Sequence, residues 1–190
     1  MNAVTFNIAA RTKVPLRVDD YYLLQREGAL ADYGRTELVE GEIYTMNAQY
    51  RPHARTKHFF ARAIEAAVQG SEWSVLTEVT VDIPPHNAPD PDIVLTNEPG
   101  GDGPVPVSTV ALIVEISDTS LEIDFGRKAS LYGRANIPEY WVVDINGKKI
   151  IRHWQPMSDG YAKRDEVAFG QNVGSQTFSN LKIETAALTS

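Results

Sequence analysis

The spacing of apolar and polar positions changes along the chain and predicts both strands and helices. Residues 73–83 alternate apolar and polar side chains, as a half-buried strand does. Residues 110–116 and 138–144 are apolar at most positions, which is typical of central strands covered on both faces. After Pro52 the apolar period becomes helical and continues for about 17 residues to Gly70. The chain therefore combines buried strands with an amphipathic helix.

Turn-forming residues separate the other elements that the pattern predicts. These are a short helix capped by Asp19 or Asp20 and ending at Gly28, a hairpin over residues 36–46 turning at Glu40-Gly41, a helix over 124–135, a hairpin at Asn146-Gly147 and weaker strands over 160–184. This order predicts an α/β (α+β) fold, a mixed β-sheet flanked by helices with N-terminal and C-terminal β-hairpins. We expect a single domain over residues 1–190, with 1–17 as a lead-in and 185–190 as a tail.

Composition narrows the classes of protein to consider. The 190 residues contain no cysteine, which excludes disulfides, thiolate metal sites and thiol catalysis. No apolar run approaches the roughly 18 to 20 residues that span a bilayer. The first residues lack the basic and then apolar pattern of a signal peptide. We therefore expect a cytoplasmic protein that makes no use of a membrane.

The net charge of −7 taken alone argues against a nucleic-acid partner. Its distribution changes that picture. Every Lys and Arg lies at or before Arg62 or at or after Arg127, while residues 63–126 hold twelve acidic residues and no basic one. A folded acidic segment between basic flanks is consistent with carboxylates collected for a cation, although a solvated face would give the same count.

Two acidic residues stand out within that segment. Glu115 interrupts an apolar central strand, where a carboxylate is costly unless it is paired, protonated or bound to a metal. Asp92 begins a short strand between prolines. Alone, Glu115 could simply reach solvent and Asp92 could cap a turn. Together they suit a hard divalent ion, and without cysteine Mg²⁺ or Mn²⁺ fits this chain better than zinc.

Further residues could complete such a site, and each has an ordinary structural alternative. Glu40 could supply another oxygen or be an exposed turn residue. Lys128 could reach the carboxylates or pair with Asp124 four residues earlier on a helix. Ser117 could donate a hydroxyl or merely end a strand. His53 could contact substrate, although its place on the apolar side of its helix slightly favours a core histidine.

Basic side chains could contact a nucleic-acid backbone. On the predicted helix after Pro52, Arg51, Arg55, His58 and Arg62 fall on one stripe, which could equally be a solvated helix face. The other candidates for phosphate contact are Arg127, Arg134, Lys148 and Lys149.

A series of short motifs occurs in order over roughly residues 15–155. The motifs are Glu37-Leu-Val-Glu-Gly-Glu-Ile-Tyr44 with Met46 and His53, Pro89-Asp-Pro-Asp-Ile-Val94, Val114-Glu-Ile-Ser117, Asp124 with Lys128 and Tyr132, and Ile137-Pro-Glu-Tyr-Trp-Val-Val-Asp144. This series resembles the Uma-two family of restriction-endonuclease-like proteins, which is similar to the wider PD-(D/E)XK nuclease superfamily. The resemblance implies a mixed sheet with flanking helices and metal-dependent phosphodiester hydrolysis.

The resemblance also implies roles for individual residues. Asp92 and Glu115 take the positions of the motif acids, with Glu40 as an early glutamate and all three as metal ligands. The superfamily lysine two residues after the acid is replaced here by Ser117, and Lys128 resembles the lysine that moves to the following helix.

These roles lead to a functional expectation and one alternative. We expect a Mg²⁺- or Mn²⁺-dependent endonuclease acting on DNA rather than RNA. A homodimer is expected too, since cutting both strands of a duplex suits two-fold symmetry. The alternative is a catalytically inactive module that binds nucleic acid or a protein partner on the same scaffold.

Overall fold

The computed structural model describes residues 12–46, 48–118 and 123–189. Among them, three α-helices form, α1 (Val18–Arg26), α2 (Arg51–Val68) and α3 (Ala129–Arg134), and a π-helical segment (Ile123–Lys128) leads into α3. The backbone N–H of Arg17 donates to the carboxylate of Asp20 (2.9 Å), so Asp20 caps α1 from inside its first turn. Within the described residues, no helix is both long and apolar enough to cross a membrane.

Twelve strands are described. They are β1 (Thr36–Val39), β2 (Glu42–Thr45), β3 (Ser74–Thr77), β4 (Val81–Asp82), β5 (Ile93–Thr96), β6 (Val105–Pro106), β7 (Val110–Ser117), β8 (Glu139–Asp144), β9 (Lys149–Met157), β10 (Gly160–Ala168), β11 (Asn172–Gly174) and β12 (Lys182–Glu184). Six of them form the central sheet in the order β10-β9-β8-β7-β5-β3, and the others form three two-stranded sheets. All pairs of the central sheet are antiparallel except β7 with β8, so the mixed sheet that the sequence predicts is confirmed.

Helices cover both faces of the central sheet. On one face, Phe60 and Ile64 of α2 pack in a cluster with Leu112 and Val114 of β7. On the other face, Tyr132 of α3 packs with the intervening residues of the same strands, whose side chains point to the opposite side of the sheet. Because both faces are covered, every residue of β7 and β8 is buried, as the apolar runs predict.

Three predicted elements differ in detail. The strand expected over 73–83 is broken into β3 and β4 at Glu78, whose φ of 54° is left-handed. The helix expected over 124–135 begins as the π-helical segment. The turn after β8 spans four residues instead of two, because the Asp144 carboxylate accepts the Gly147 N–H (2.7 Å) and Lys148 takes the left-handed backbone.

Candidate active site

Asp92 and Glu115 adjoin where β5 pairs with β7. Ile93 faces Val114 in this antiparallel pair, so Asp92, one residue earlier, lies opposite Glu115. The Asp92 N–H donates to Oε2 of Glu115 (3.3 Å), and Oδ2 of Asp92 accepts the Ile116 N–H (2.9 Å). Their exposures are only 6% and 4%, so two carboxylates are held together away from bulk solvent.

Asp92 is approached by polar side chains of α2 and the segment before it. Nε2 of His53 lies 3.1 Å from Oδ2 of Asp92. Nε2 of Gln49 donates to Oδ1 (3.3 Å), and Nζ of Lys57 lies 3.7 Å from the same oxygen. His53 thus lies in the cavity lining with its ring against the Asp92 carboxylate, and its contact with a substrate stays a prediction.

Glu115 is held from the other face of the sheet. Nζ of Lys128 donates to its Oε1 (2.9 Å), and the Tyr132 hydroxyl donates to the same oxygen (3.0 Å). Burial raises the pKa of Tyr132 well above its usual value, and the nearby negative charge of Glu115 adds to this, so the phenol stays protonated and can donate. Lys128 is itself 6% exposed. Lys128 therefore reaches a carboxylate of the pair, which is one of the two roles that the sequence leaves open; the other, pairing with Asp124, involves a side chain outside the described residues.

Asp92, Glu115 and Lys128 form the cluster of the candidate site. The early glutamate that reaches this cluster is Glu37, not Glu40 as the sequence led us to expect. Nζ of Lys128 lies 3.4 Å from Oε2 of Glu37. The Glu40 side chain is 44% exposed and its two oxygens pair with Arg127 (3.1 Å) and Arg134 (2.9 Å). The physical reason is strand alternation: Glu37 shares a face of β1 with buried Val39, whereas Glu40 lies in the turn.

Lys57 links Asp92 to Glu78, the residue at which the chain bends between β3 and β4. Its ammonium contacts the carboxylate of Glu78 and donates to Oε1 of Gln49 (2.5 Å). Because an ammonium can only donate, this contact turns the amide nitrogen of Gln49 towards Asp92. The Glu78 N–H also donates to the Asp92 carbonyl (3.2 Å). Gln49 and Lys57 were not expected from the sequence, although Lys57 lies four residues after His53 on one helix face.

A second carboxylate of the same motif, Asp90, lies beside the cluster. Its Oδ1 accepts the Thr80 hydroxyl (2.5 Å), and Nη2 of Arg35 lies 3.4 Å from its Oδ2. Burial raises the pKa of Asp90. Its backbone N–H donates to Oε2 of Glu37 (3.4 Å), which connects two acids that the sequence pattern does not single out.

The remaining predicted residues lie away from the carboxylate pair or outside the described residues. Ser117 is 1% exposed and does not line the cavity beside Asp92 and Glu115. The side chain of Asp124 lies outside the described residues. Arg127 lines the cavity, with its guanidinium donating to the hydroxyl of Tyr44 (2.7 Å). The stripe on α2 is exposed at all four of its positions, Arg51, Arg55, His58 and Arg62.

The cluster forms the floor of a cavity of about 400 Å³. The lining includes five carboxylates and two basic side chains, which are Glu37, Asp90, Asp92, Glu115 and Asp118 against Arg127 and Lys128. Among the described residues, no three His, Asp or Glu side chains form a group arranged to hold a metal ion. Mg²⁺, however, is commonly bound through one or two carboxylates together with water and substrate phosphate. The adjoining Asp92 and Glu115, in a cavity with excess negative charge, fit that kind of site.

The fold and the family of this chain follow from comparison with known proteins. The fold is similar to a crystal structure described as that of a "putative nuclease belonging to DUF820" from Anabaena variabilis, with 14% sequence identity, a TM-score of 0.69, and coverage of 92% of this chain and 97% of that one. No curated protein matches the chain. The chain is thus an α+β protein that shares its fold with that structure. The sequence model of the Uma2 (Uma-two) family, described as "Putative restriction endonuclease", matches residues 18–186, and the chain belongs to this family.

Proposed function

We propose that this chain is a divalent-metal-dependent endonuclease that hydrolyses phosphodiester bonds in DNA. The observation that carries the proposal is the adjoining pair of buried carboxylates, Asp92 and Glu115, with the ammonium of Lys128 2.9 Å from Glu115, on a cavity floor. Membership of a family described as restriction endonucleases supports the same reaction class.

Charge is the argument for metal dependence. A phosphodiester is an anion, and five carboxylates against two cations would repel it from the cavity. Asp92 and Glu115 would hold Mg²⁺ or Mn²⁺, which supplies Lewis-acid stabilisation of phosphate charge and a more acidic bound water. With part of its charge neutralised in this way, the acidic lining would be compatible with an anionic substrate.

The residues of the chain have separate tasks in this proposal. Lys128, fixed by Glu115 and Glu37, positions an ammonium that can hold the attacking water or a phosphate oxygen. His53 holds Asp92 from the side of α2. Three exposed arginines of α2, Arg51, Arg55 and Arg62, would contact backbone phosphates on either side of the cleaved bond, and the half-buried Arg127 would contact the nucleic acid inside the cavity.

Removing the metal tests the reaction class. Purified protein is incubated with labelled single-stranded DNA and, in separate reactions, with duplex DNA, and it is expected to cut at least one of them when Mg²⁺ or Mn²⁺ is added and to stop when EDTA is added in excess. Equal cleavage in EDTA would contradict metal dependence. DNA retention in a gel shift without cleavage under any ion would instead favour a non-catalytic binding module.

Oligomeric state and location stay predictions from the sequence. The homodimer expected from the sequence is one of them. Sedimentation at several protein concentrations would decide between monomer and dimer. The cytoplasmic location is likewise an expectation, which fractionation of the source cells would test.

A further inference from the structure

Much of the rest of the cavity lining is apolar or aromatic. It comes largely from the hairpin and the segment that joins β2 to α2, and its members are Val39, Tyr44, Met46, Ala48, Tyr50 and, from β7, Ile116. Tyr50 directly precedes α2 and is 71% exposed although its ring is large. Acids and apolar side chains thus line one cavity, which is the composition expected for a ligand with a charged part and a flat apolar part.

Arg127 adds a stacking group to this apolar wall. Its guanidinium carbon lies 4.9 Å from the centre of the Tyr44 ring, and the same side chain donates to the Tyr44 hydroxyl. Aromatic rings and guanidinium planes are the side chains on which unpaired nucleobases stack. Phosphate, by contrast, has no favourable interaction with Val39, Met46 or Ala48.

The depth of the acidic floor restricts the form of the nucleic acid. Asp92, Glu115 and Lys128 are each 6% exposed or less. In a duplex the bases are stacked inside and the phosphates lie on a stiff outer surface, so a base cannot reach the aromatic wall while its phosphate reaches the floor. An unpaired nucleotide can place its phosphate on the floor and its base against the wall.

We propose that the apolar wall around Tyr44 and Tyr50 binds an unpaired nucleobase beside the cleaved phosphate, so that the substrate is single-stranded or locally unpaired DNA. This inference rests on the proposed function, whose phosphate site it extends. It assigns a base-binding role to Tyr50 and Arg127. The enzyme would then select unpaired over paired DNA, rather than one base sequence over another.

Binding of two single strands that differ only in their bases tests this role. Fluorescence anisotropy would compare a labelled oligothymidylate of about ten nucleotides with an abasic deoxyribose-phosphate strand of equal length, both with Ca²⁺ present. We expect the wild-type protein to bind the thymidylate about tenfold more tightly. Tyr50→Ala should remove most of that difference, while Tyr33→Ala, at an exposed tyrosine outside the cavity lining, should preserve it.

Three results would overturn the base-binding role. These are equal affinity for both strands in the wild-type protein, an equal loss on both strands in Tyr50→Ala, and duplex binding as tight as single-strand binding. Because affinity is measured without cleavage, the two proposals fail separately. A base preference with no cleavage under any ion contradicts the endonuclease proposal alone, whereas cleavage without a base preference contradicts the base site alone.

Discussion

Asp92 receives contacts from three elements, and its environment explains how a buried carboxylate is tolerated. Its Oδ2 accepts the Ile116 N–H and faces His53, while its Oδ1 faces Gln49 and Lys57. Hydrogen bonds and nearby donors of this kind compensate a carboxylate for the hydration that it loses on burial. The same contacts fix its orientation, which the proposed metal site would require.

Lys57 is predicted to position Asp92 without contacting substrate. In Lys57→Met the Gln49 amide loses its partner and Asp92 loses a nearby positive charge. We expect turnover to fall about 10- to 100-fold. Divalent-ion affinity, measured by calorimetry, should stay equal or rise, because a competing cation has been removed.

Lys163→Met is the matched control, since Lys163 is exposed on β10. A variant Lys57→Met with wild-type turnover would contradict the positioning role. So would a variant that loses ion affinity and turnover together, since that would show a general collapse of the site.

The different positions of Glu37 and Glu40 give a second prediction. Glu37→Gln should lower cleavage, because its carboxylate lies 3.4 Å from the ammonium of Lys128. Glu40→Gln should leave cleavage near the wild-type rate and change stability by about 1 kcal/mol or less, because its ion pairs are exposed. Initial rates and urea unfolding of both variants measure this. The opposite ranking would restore Glu40 to the site.

Residues that interrupt an apolar run could be found from the sequence, and residues placed by packing could not. Asp92 and Glu115 stand in or beside strands that are otherwise apolar, so their cost is visible in the pattern. Gln49 and Lys57 are ordinary polar positions of a helix and its entry. Only the path of α2 past Asp92 gives them a role, and that path depends on contacts far apart in the chain.

At the scale of elements, α3 is positioned by a close approach to β10. A Cβ atom on Gly133 would overlap the backbone carbonyl of Gly160. Both groups are backbone, so neither can move aside cheaply. The neighbouring residue Tyr132 carries the hydroxyl that donates to Glu115. The close approach of Gly133 to Gly160 therefore also fixes the distance between α3 and Glu115.

Gly133→Ala is therefore expected to destabilise the protein by about 1–3 kcal/mol. Urea unfolding followed by circular dichroism measures the change. Gly101→Ala is the control, because no atom lies within 4 Å of the position that its Cβ would take and its φ is not left-handed. Equal stability of the two variants would contradict the close packing of α3 on β10.

The predicted elements agree with the structure where local signals agree, and they differ where a single residue departs from its neighbours. The 36–46 hairpin turns at Glu40 and Gly41, both with positive φ, as the sequence predicts. The pattern predicts a continuous strand over 73–83 because Glu78 has ordinary strand neighbours on both sides. The left-handed backbone of Glu78 is stabilised by the Asp92 carbonyl and by Lys57, contacts that no local pattern contains.

At the scale of the whole molecule, the uneven distribution of charge along the sequence becomes a cavity lining with an excess of negative charge. The acids of 63–126 supply four of the five carboxylates in the cavity, and both basic residues of the lining, Arg127 and Lys128, follow that segment. Net charge therefore describes the interior of the cavity poorly. The fold class was accessible from the sequence because it depends on the long patterns of apolar and polar positions.

Stability should also depend on pH through His153. Burial between Tyr140 and Tyr161 lowers the pKa of His153 from about 6.5 to about 4. Between these values the unfolded chain takes up a proton that the folded chain excludes, so the free energy of unfolding decreases as pH falls from 6.5 to 4. The contribution of one such group is at most about 1.4 kcal/mol per pH unit.

His153→Phe keeps a ring between the two tyrosines and removes the titration. Urea unfolding at several pH values should show a shallower decrease in this variant than in the wild-type protein, since the contributions of other groups cancel in the difference. Parallel curves for the two proteins would show that His153 does not titrate as its burial requires.

The pairing of Asp92 with Glu115 is the central claim, and one comparison of cleavage rates tests it most directly. Asp92→Asn and Glu115→Gln preserve shape while removing charge, and Asp102→Asn makes the same change in an exposed loop. With Mg²⁺ and single-stranded DNA, we predict that the first two variants lose about 10²-fold or more of the wild-type rate and that Asp102→Asn keeps it. Wild-type rates in Asp92→Asn and Glu115→Gln, both folded, would contradict the assignment of this pair as the active site.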